Sequence, residues 1–170
     1  MVAYPTTSAG LQMLQIDGGG ILDGVALAQS AGATLASSQG YGLGLAAINI
    51  GGFSGAFEED DIAEFATTNG GFSGLIDVND EGSLSFDQKL SGSYTLDSPA
   101  TGRGIFTSNA LNGVFYAVDS STVLFLETDN IQVGTGSFEL QTPGASATAA
   151  VSRATVLHLT SAARSAWRRR

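Results

Sequence analysis

The sequence predicts an all-β chain, built as a small up-and-down antiparallel β-barrel of about eight strands, with a two-sheet β-sandwich as the alternative. Three observations predict it. Short apolar runs recur about every 8 to 12 residues between turn residues, the rhythm of sandwiches and barrels. The 170 residues include 23 Gly but only 3 Pro, and 14% are charged against an average of about 25%. With 43% hydrophobic residues, so low a charge fraction argues for a packed core rather than disorder.

Taken in order, the strands are expected near 41–49, 61–67, 71–78, 83–88, 91–96, 103–108, 112–118, 121–128 and 134–141. Breakers separate them: Asn69-Gly70-Gly71, Asp80-Glu81-Gly82, Ser98-Pro99, Asn109, Asp119-Ser120 and Asn130. Sequential strands joined by short turns make a meander, and closing the meander removes its two sticky edges. The segment Val123-Leu124-Phe125-Leu126 is apolar on both faces. One face fills a barrel, and the other needs a neighbouring unit, a partner, or the chain's own linker or tail.

An internal repeat sets the domain boundaries. Residues 2–29 align without a gap on residues 114–141 at a constant offset of 112, with identities at Val2/Val114, Tyr4/Tyr116, Ser8/Ser120, Leu14/Leu126, Asp17/Asp129, Gly24/Gly136 and Gln29/Gln141. Residues 1–29 therefore read as the C-terminal remnant of a preceding repeat. Residues 30–40 read as a flexible Ser/Gly/Ala linker, 41–141 as one complete barrel repeat, and 142–170 as a basic, disordered tail. The remnant is expected to add to the complete unit's sheet, to exchange with a second copy, or to stay disordered.

The pattern Gly92-Ser-Tyr94-Thr-Leu96, Gly102-Arg103-Gly104, Val114-Phe115-Tyr116-Ala-Val118 and Leu124-Phe-Leu126-Glu-Thr-Asp129, closing on Gly136 and Gln141, resembles the Gly-rich, roughly hundred-residue β-barrel repeats of large, uncharacterised secreted bacterial surface proteins. The resemblance implies a structural or adhesive module at the cell surface or outside the cell. Its partners would be neighbouring repeats or another copy of itself. It supplies no catalytic residue to carry over.

Charge and composition exclude several other classes. Only Lys89 and Arg103 among the seven basic residues precede residue 150, whereas all sixteen acids precede residue 140. So acidic a body repels phosphate backbones, which argues against nucleic acid. There is no cysteine, and hence neither a disulfide framework nor a thiolate metal site. Residues 1–16 lack the basic and apolar regions of a signal peptide, so the signal of an exported parent is expected outside this chain. No stretch approaches the roughly 18 apolar residues of a membrane-spanning helix. The single histidine, His158, falls in the tail, and adjacent acids such as Glu58, Glu59, Asp60 and Asp61 carry no sign of the burial that a catalytic pair requires. The reading is non-catalytic.

One cluster invites a metal. Residues 51–61, GGFSGAFEEDD, match residues 70–80, GGFSGLIDVND, at an offset of 19. In a meander both acidic groups emerge at one end, on strands about 9.6 Å apart. Loops there would gather Glu58, Asp60, Asp61, Asp77, Asn79 and Asp80 around Ca²⁺, which takes six to eight oxygens. The preferred reading of Asp77 to Gly82 is a polar hairpin turn, since position 12 of a calcium loop would be Gln88 rather than Glu. Gly18-Gly19-Gly20 likewise reads as a hairpin turn. The alternative function is a small-ligand carrier, decided by whether large residues such as Tyr94, Phe106, Tyr116 and Phe125 fill the interior or leave a cavity of about 300 Å³ or more.

Overall fold

The computed structural model describes residues 2–6, 10–17, 20–50, 57–97 and 101–142. They are all strand and loop. Strands β1 (Val2–Pro5), β2 (Gly10–Asp17) and β3 (Gly20–Leu27) form a small sheet in the order β1-β2-β3. Eight further strands follow: β4 (Gly40–Asn49), β5 (Phe57–Thr67), β6 (Gly71–Asp80), β7 (Ser83–Leu96), β8 (Arg103–Ser108), β9 (Asn112–Ala117), β10 (Thr122–Glu127) and β11 (Gln132–Leu140). They form a closed antiparallel barrel in which each strand pairs with its neighbour in sequence and β11 returns to β4.

Alternation along the strands decides what lies inside. Tyr41, Leu43, Leu45 and Ala47 of β4 and Ala63 and Phe65 of β5 are buried, while the residues between them face out. An eight-stranded barrel is just wide enough for side chains to fill, and here aromatic rings do so. Phe72 stacks on Phe106 with centroids 3.9 Å apart, and Phe138 lies 5.2 Å from Phe65 and 5.1 Å from Phe125. Room for the rings comes from glycines directly opposite them: Phe115 pairs with Gly104, and Phe72 with Gly92. A methyl group at either glycine would run into the facing ring. Tyr94, Phe106 and Phe125 point inward as expected, but Tyr116 faces out and is 46% exposed, because Phe115 and Ala117 take the inward positions on β9.

The expected strands at 83–88 and 91–96 are one strand. A bulge keeps them continuous: between the pairs Ile76↔Gln88 and Val78↔Ser85, Phe86 and Asp87 oppose Asp77 alone. Asp87 takes a positive φ of 54°, and its N–H is received by the Asp77 carboxylate at 2.8 Å.

Residues 30–40, expected as a flexible linker, are built into one end of the barrel. Leu35 is 3% exposed and joins the core with Ala33. The Thr67 hydroxyl donates to the Ala36 carbonyl at 2.7 Å, the Ala36 N–H donates to the Tyr41 hydroxyl at 3.1 Å, and the Ser38 N–H donates to the Thr67 carbonyl at 3.0 Å. The Gln29 side chain donates to the carbonyls of Thr101 and Ala117 at 3.0 and 2.7 Å. An open barrel end exposes core side chains and strand-end carbonyls, and this segment covers both.

The first three strands do not add to the barrel, because β11–β4 pairing leaves it no free edge. Their internal geometry repeats that of β9–β11. The pairs Val2↔Leu14, Ala3↔Met13, Tyr4↔Gln12 and Pro5↔Leu11 recur 112 residues later as Val114↔Leu126, Phe115↔Phe125, Tyr116↔Leu124 and Ala117↔Val123. All five pairs of β10–β11, from Thr122↔Glu139 to Leu126↔Thr135, have their counterparts in β2–β3, from Gly10↔Leu27 to Leu14↔Asp23. The basic tail, His158, Gly18 and Gly19 lie outside the described residues.

Candidate functional site

The end of the barrel opposite the linker is polar. It is built from the same alternation that makes the core. On β5 the inward series Phe65, Ala63, Asp61, Glu59 turns from apolar to acidic, and on β10 Val123 and Phe125 are followed by Glu127. Gln132 begins the inward series of β11. Asp61 and Glu127 are each 4% exposed and Gln132 is 7% exposed. Buried polar atoms are normally paired. Here Oδ1 of Asp61, both carboxylate oxygens of Glu127 and Nε2 of Gln132 are buried without a hydrogen-bond partner.

Register brings these groups into one band around the wall. Asp80 pairs with Glu59, Glu59 with Ala47, and Ala47 with Gly134. Glu127 sits beside Gly134, one step beyond the Leu126↔Thr135 pair. Ala47 and Gly134 thus stand between Glu59 and Glu127 along the band, and the wall is closely packed there. A Cβ on Gly134 would lie 2.9 Å from Oε2 of Glu127 and 2.7 Å from Cβ of Ala47. Around the rim, Asn112 holds Asp129 through two bonds of 2.8 and 3.0 Å, and the Asn49 amide donates to Glu59 at 3.4 Å.

The electrostatics follow from burial and like charge. Burial pushes the Glu127 carboxyl up from 4.5 to about 7, and the charges of Asp129, Asp61 and Glu59 add to the effect. Burial also pushes Asp61 up from 3.8 to about 6, reinforced by Glu59, Asp60 and Asp80. Among the described residues no basic side chain relieves them. Arg103 is engaged by Asp97 at 3.0 Å and by the Tyr116 hydroxyl, on the outer wall, and Lys89 is exposed.

The six residues expected around calcium divide between two faces. Strands β5 and β6 are direct neighbours rather than two positions apart, and the acids lie within the strands, not in loops. Glu58, Asp60, Asp77 and Asn79 therefore point outward, whereas Asp61 and Asp80 point in. Asp77 and Asn79 serve the hairpin: the Asn79 carbonyl oxygen accepts the Gly82 N–H at 2.9 Å, while Glu81 and Gly82 take φ of 50° and 84°. Among the described residues no three acidic side chains sit closely enough to hold a bare metal ion between them. Glu59, Glu127, Asp129 and Gln132 are the members that the sequence reading missed. The signal was present, since an inward Phe125 fixes Glu127 two residues on as inward as well.

The remaining depressions lie on the outer wall. One is lined by Ala46, Ile48, Glu58, Asp60, Val133 and Thr135, residues that point away from the core. Among the described residues no helix is long and apolar enough to cross a membrane. Compared with protein-family models, curated proteins and solved structures, the chain matches none.

Proposed function

We propose that this chain is a non-catalytic structural or adhesive module of a tandem β-barrel protein displayed outside a bacterial cell, in which residues 2–29 are the closing three strands of a preceding barrel. The observation that carries the reading is the register of those strands. Two segments 112 residues apart repeat both strand order and residue pairing. Such agreement is expected of two copies of one folding unit and of few other arrangements. The export of that parent rests on the sequence resemblance alone.

Two features support association between units. Leu124 and Leu126 are 39% and 45% exposed on the outer wall, and Leu126 continues through Val114 to Ile105 across three adjacent strands. The sheet β1–β3 has two open edges and exposes Val2, Tyr4, Leu11 and Val25. The ring-filled interior favours this role over a carrier, which needs an internal cavity. Sequencing the coding region on both sides of residues 1–170 tests the proposal. Further copies of the β4–β11 pattern at the same period are expected, and flanks without any copy would refute it.

A further inference from the structure

We propose that the open edge of β3 is a docking site for one extended peptide strand of the β4 type, glycine on its outward face and leucine on its inward face, added antiparallel in the register of the β11–β4 seam. The site rests on the repeat reading of residues 2–29 and goes beyond it by naming the strand that their sheet takes next.

The seam supplies the register. Moved back by 112 residues, the β11 partners of β4 set Asp23 opposite Ala46, Gly24 opposite Leu45, Val25 opposite Gly44, Ala26 opposite Leu43 and Leu27 opposite Gly42. Large meets small on both faces of that pairing. Val25 and Leu27, 51% and 41% exposed, fall beside glycines, and the two leucines fall beside Gly24 and Ala26.

Glycine at both 24 and 136 is the second, independent mark. A Cβ on Gly136 would run into the Gly44 carbonyl and the Leu45 backbone, so the close approach of β4 requires glycine there. At Gly24 the same Cβ would meet nothing within 4 Å. Gly24 thus keeps the clearance of the seam on an edge to which no described strand is paired.

The backbone groups are aimed to match. Gly10 turns its carbonyl to the Thr6 N–H at 2.9 Å, so its β3 partner Leu27 and, by alternation, Val25 and Asp23 turn their N–H groups to the open edge. In the seam the Gln141 N–H donates to the Gly40 carbonyl at 2.8 Å and the Ile50 N–H to the Ile131 carbonyl at 2.7 Å, so the even-numbered residues of β4 are the ones that bond β11. The β1 edge is less receptive. Pro5 stands there where Ala117 donates its N–H to Gly102 at 2.8 Å.

The probe is a fluorescein-labelled synthetic peptide, Gly40–Asn49, titrated with the full chain and read by fluorescence anisotropy. Saturable binding is expected. Methylating the peptide nitrogens of Gly42 and Gly44, which face the seam, should weaken binding about tenfold or more. Methylating those of Leu43 and Leu45, which face away, should leave it unchanged. Gly24→Val in the chain should keep the melting temperature and lose the peptide. No saturable binding would overturn the proposal, and so would binding that survives Gly42 and Gly44 methylation or Gly24→Val. Self-association of the chain that the peptide does not displace would give the edge to a second copy and overturn it as well. Failure on any of these counts leaves the repeat reading to its own test, the sequence flanking residues 1–170.

Discussion

Replacing Glu127 with glutamine isolates the electrostatic strain at the acidic end. The folded carboxyl is raised from 4.5 to about 7. A raised carboxyl means that the folded state holds a proton that the unfolded chain has released. Stability therefore falls as pH rises from about 4.5 to about 7, and the whole cost is present above that range. At about 1.4 kcal/mol per pH unit, the rise from 4.5 to about 7 amounts to about 3 kcal/mol at pH 8. Asp61, raised to about 6 by burial and by the charges of Glu59, Asp60 and Asp80, acts in the same direction over a lower window. Glu127→Gln keeps the shape and removes the charge. It should be more stable than the parent by about 3 kcal/mol at pH 8 and close to it at pH 5, in urea unfolding. Asp119, held below its usual value by bonds from Ser121 and Thr122, contributes only at more acidic pH and does not disturb the comparison. A parent chain more stable at pH 8 than at pH 5, or a variant no more stable than the parent at pH 8, would show that these carboxyls are not buried as described.

Two further outcomes test the packing and the turn. Gly104→Ala places a methyl group against the Phe115 ring and the Thr95 carbonyl, so it should cost about 1–3 kcal/mol or more in thermal unfolding. Glu81→Asn should stabilise by about 0.5–1 kcal/mol, because positive φ at both Glu81 and Gly82 marks a type I′ turn, for which Asn-Gly is preferred.

The sequence made the barrel legible because two kinds of information agreed. Alternating apolar residues marked each strand, and glycine, asparagine and aspartate marked each turn, so 103–108 is found unchanged as β8 and 41–49 within a residue as β4. What alternation does not reveal is where a strand passes through a bulge. Asp87 lies in one, and the strand was divided there. The acidic end was misread for a related reason. Adjacent acids in Glu58-Glu59-Asp60-Asp61 suggest a solvated loop, yet period two sends Glu59 and Asp61 inward and Glu58 and Asp60 outward. The linker misled by composition. Serine, glycine and alanine are typical of mobile segments, but the small side chains of Ala33 and Ala36 let the backbone lie close against the barrel mouth while Leu35 enters it.

That end closure makes a sharp distinction between two truncations. Residues 29–142 retain the barrel, the Gln29 bonds to Thr101 and Ala117, and the buried Leu35. Residues 40–142 retain the eight strands but lose the cover over Tyr41 and Thr67, which are 0% and 2% exposed in the full chain. Burial of a leucine is worth about 1.5–3 kcal/mol and each lost hydrogen bond about 1 kcal/mol. Three of those bonds involve Thr67 and residues 36–39 directly: its hydroxyl to Ala36 O, its N–H to Gln39 O, and Ser38 N–H to its carbonyl. The sum, on the order of 5 kcal/mol, approaches the 5–15 kcal/mol stability of a typical domain. The longer fragment should therefore unfold cooperatively with a midpoint near that of the full chain. The shorter one should be marginal or unfolded, and Leu35→Ala in the longer fragment should reproduce about 2–5 kcal/mol of the loss. Equal stability of the two fragments would mean that residues 30–39 only lie on the barrel, and that its eight strands close their own core.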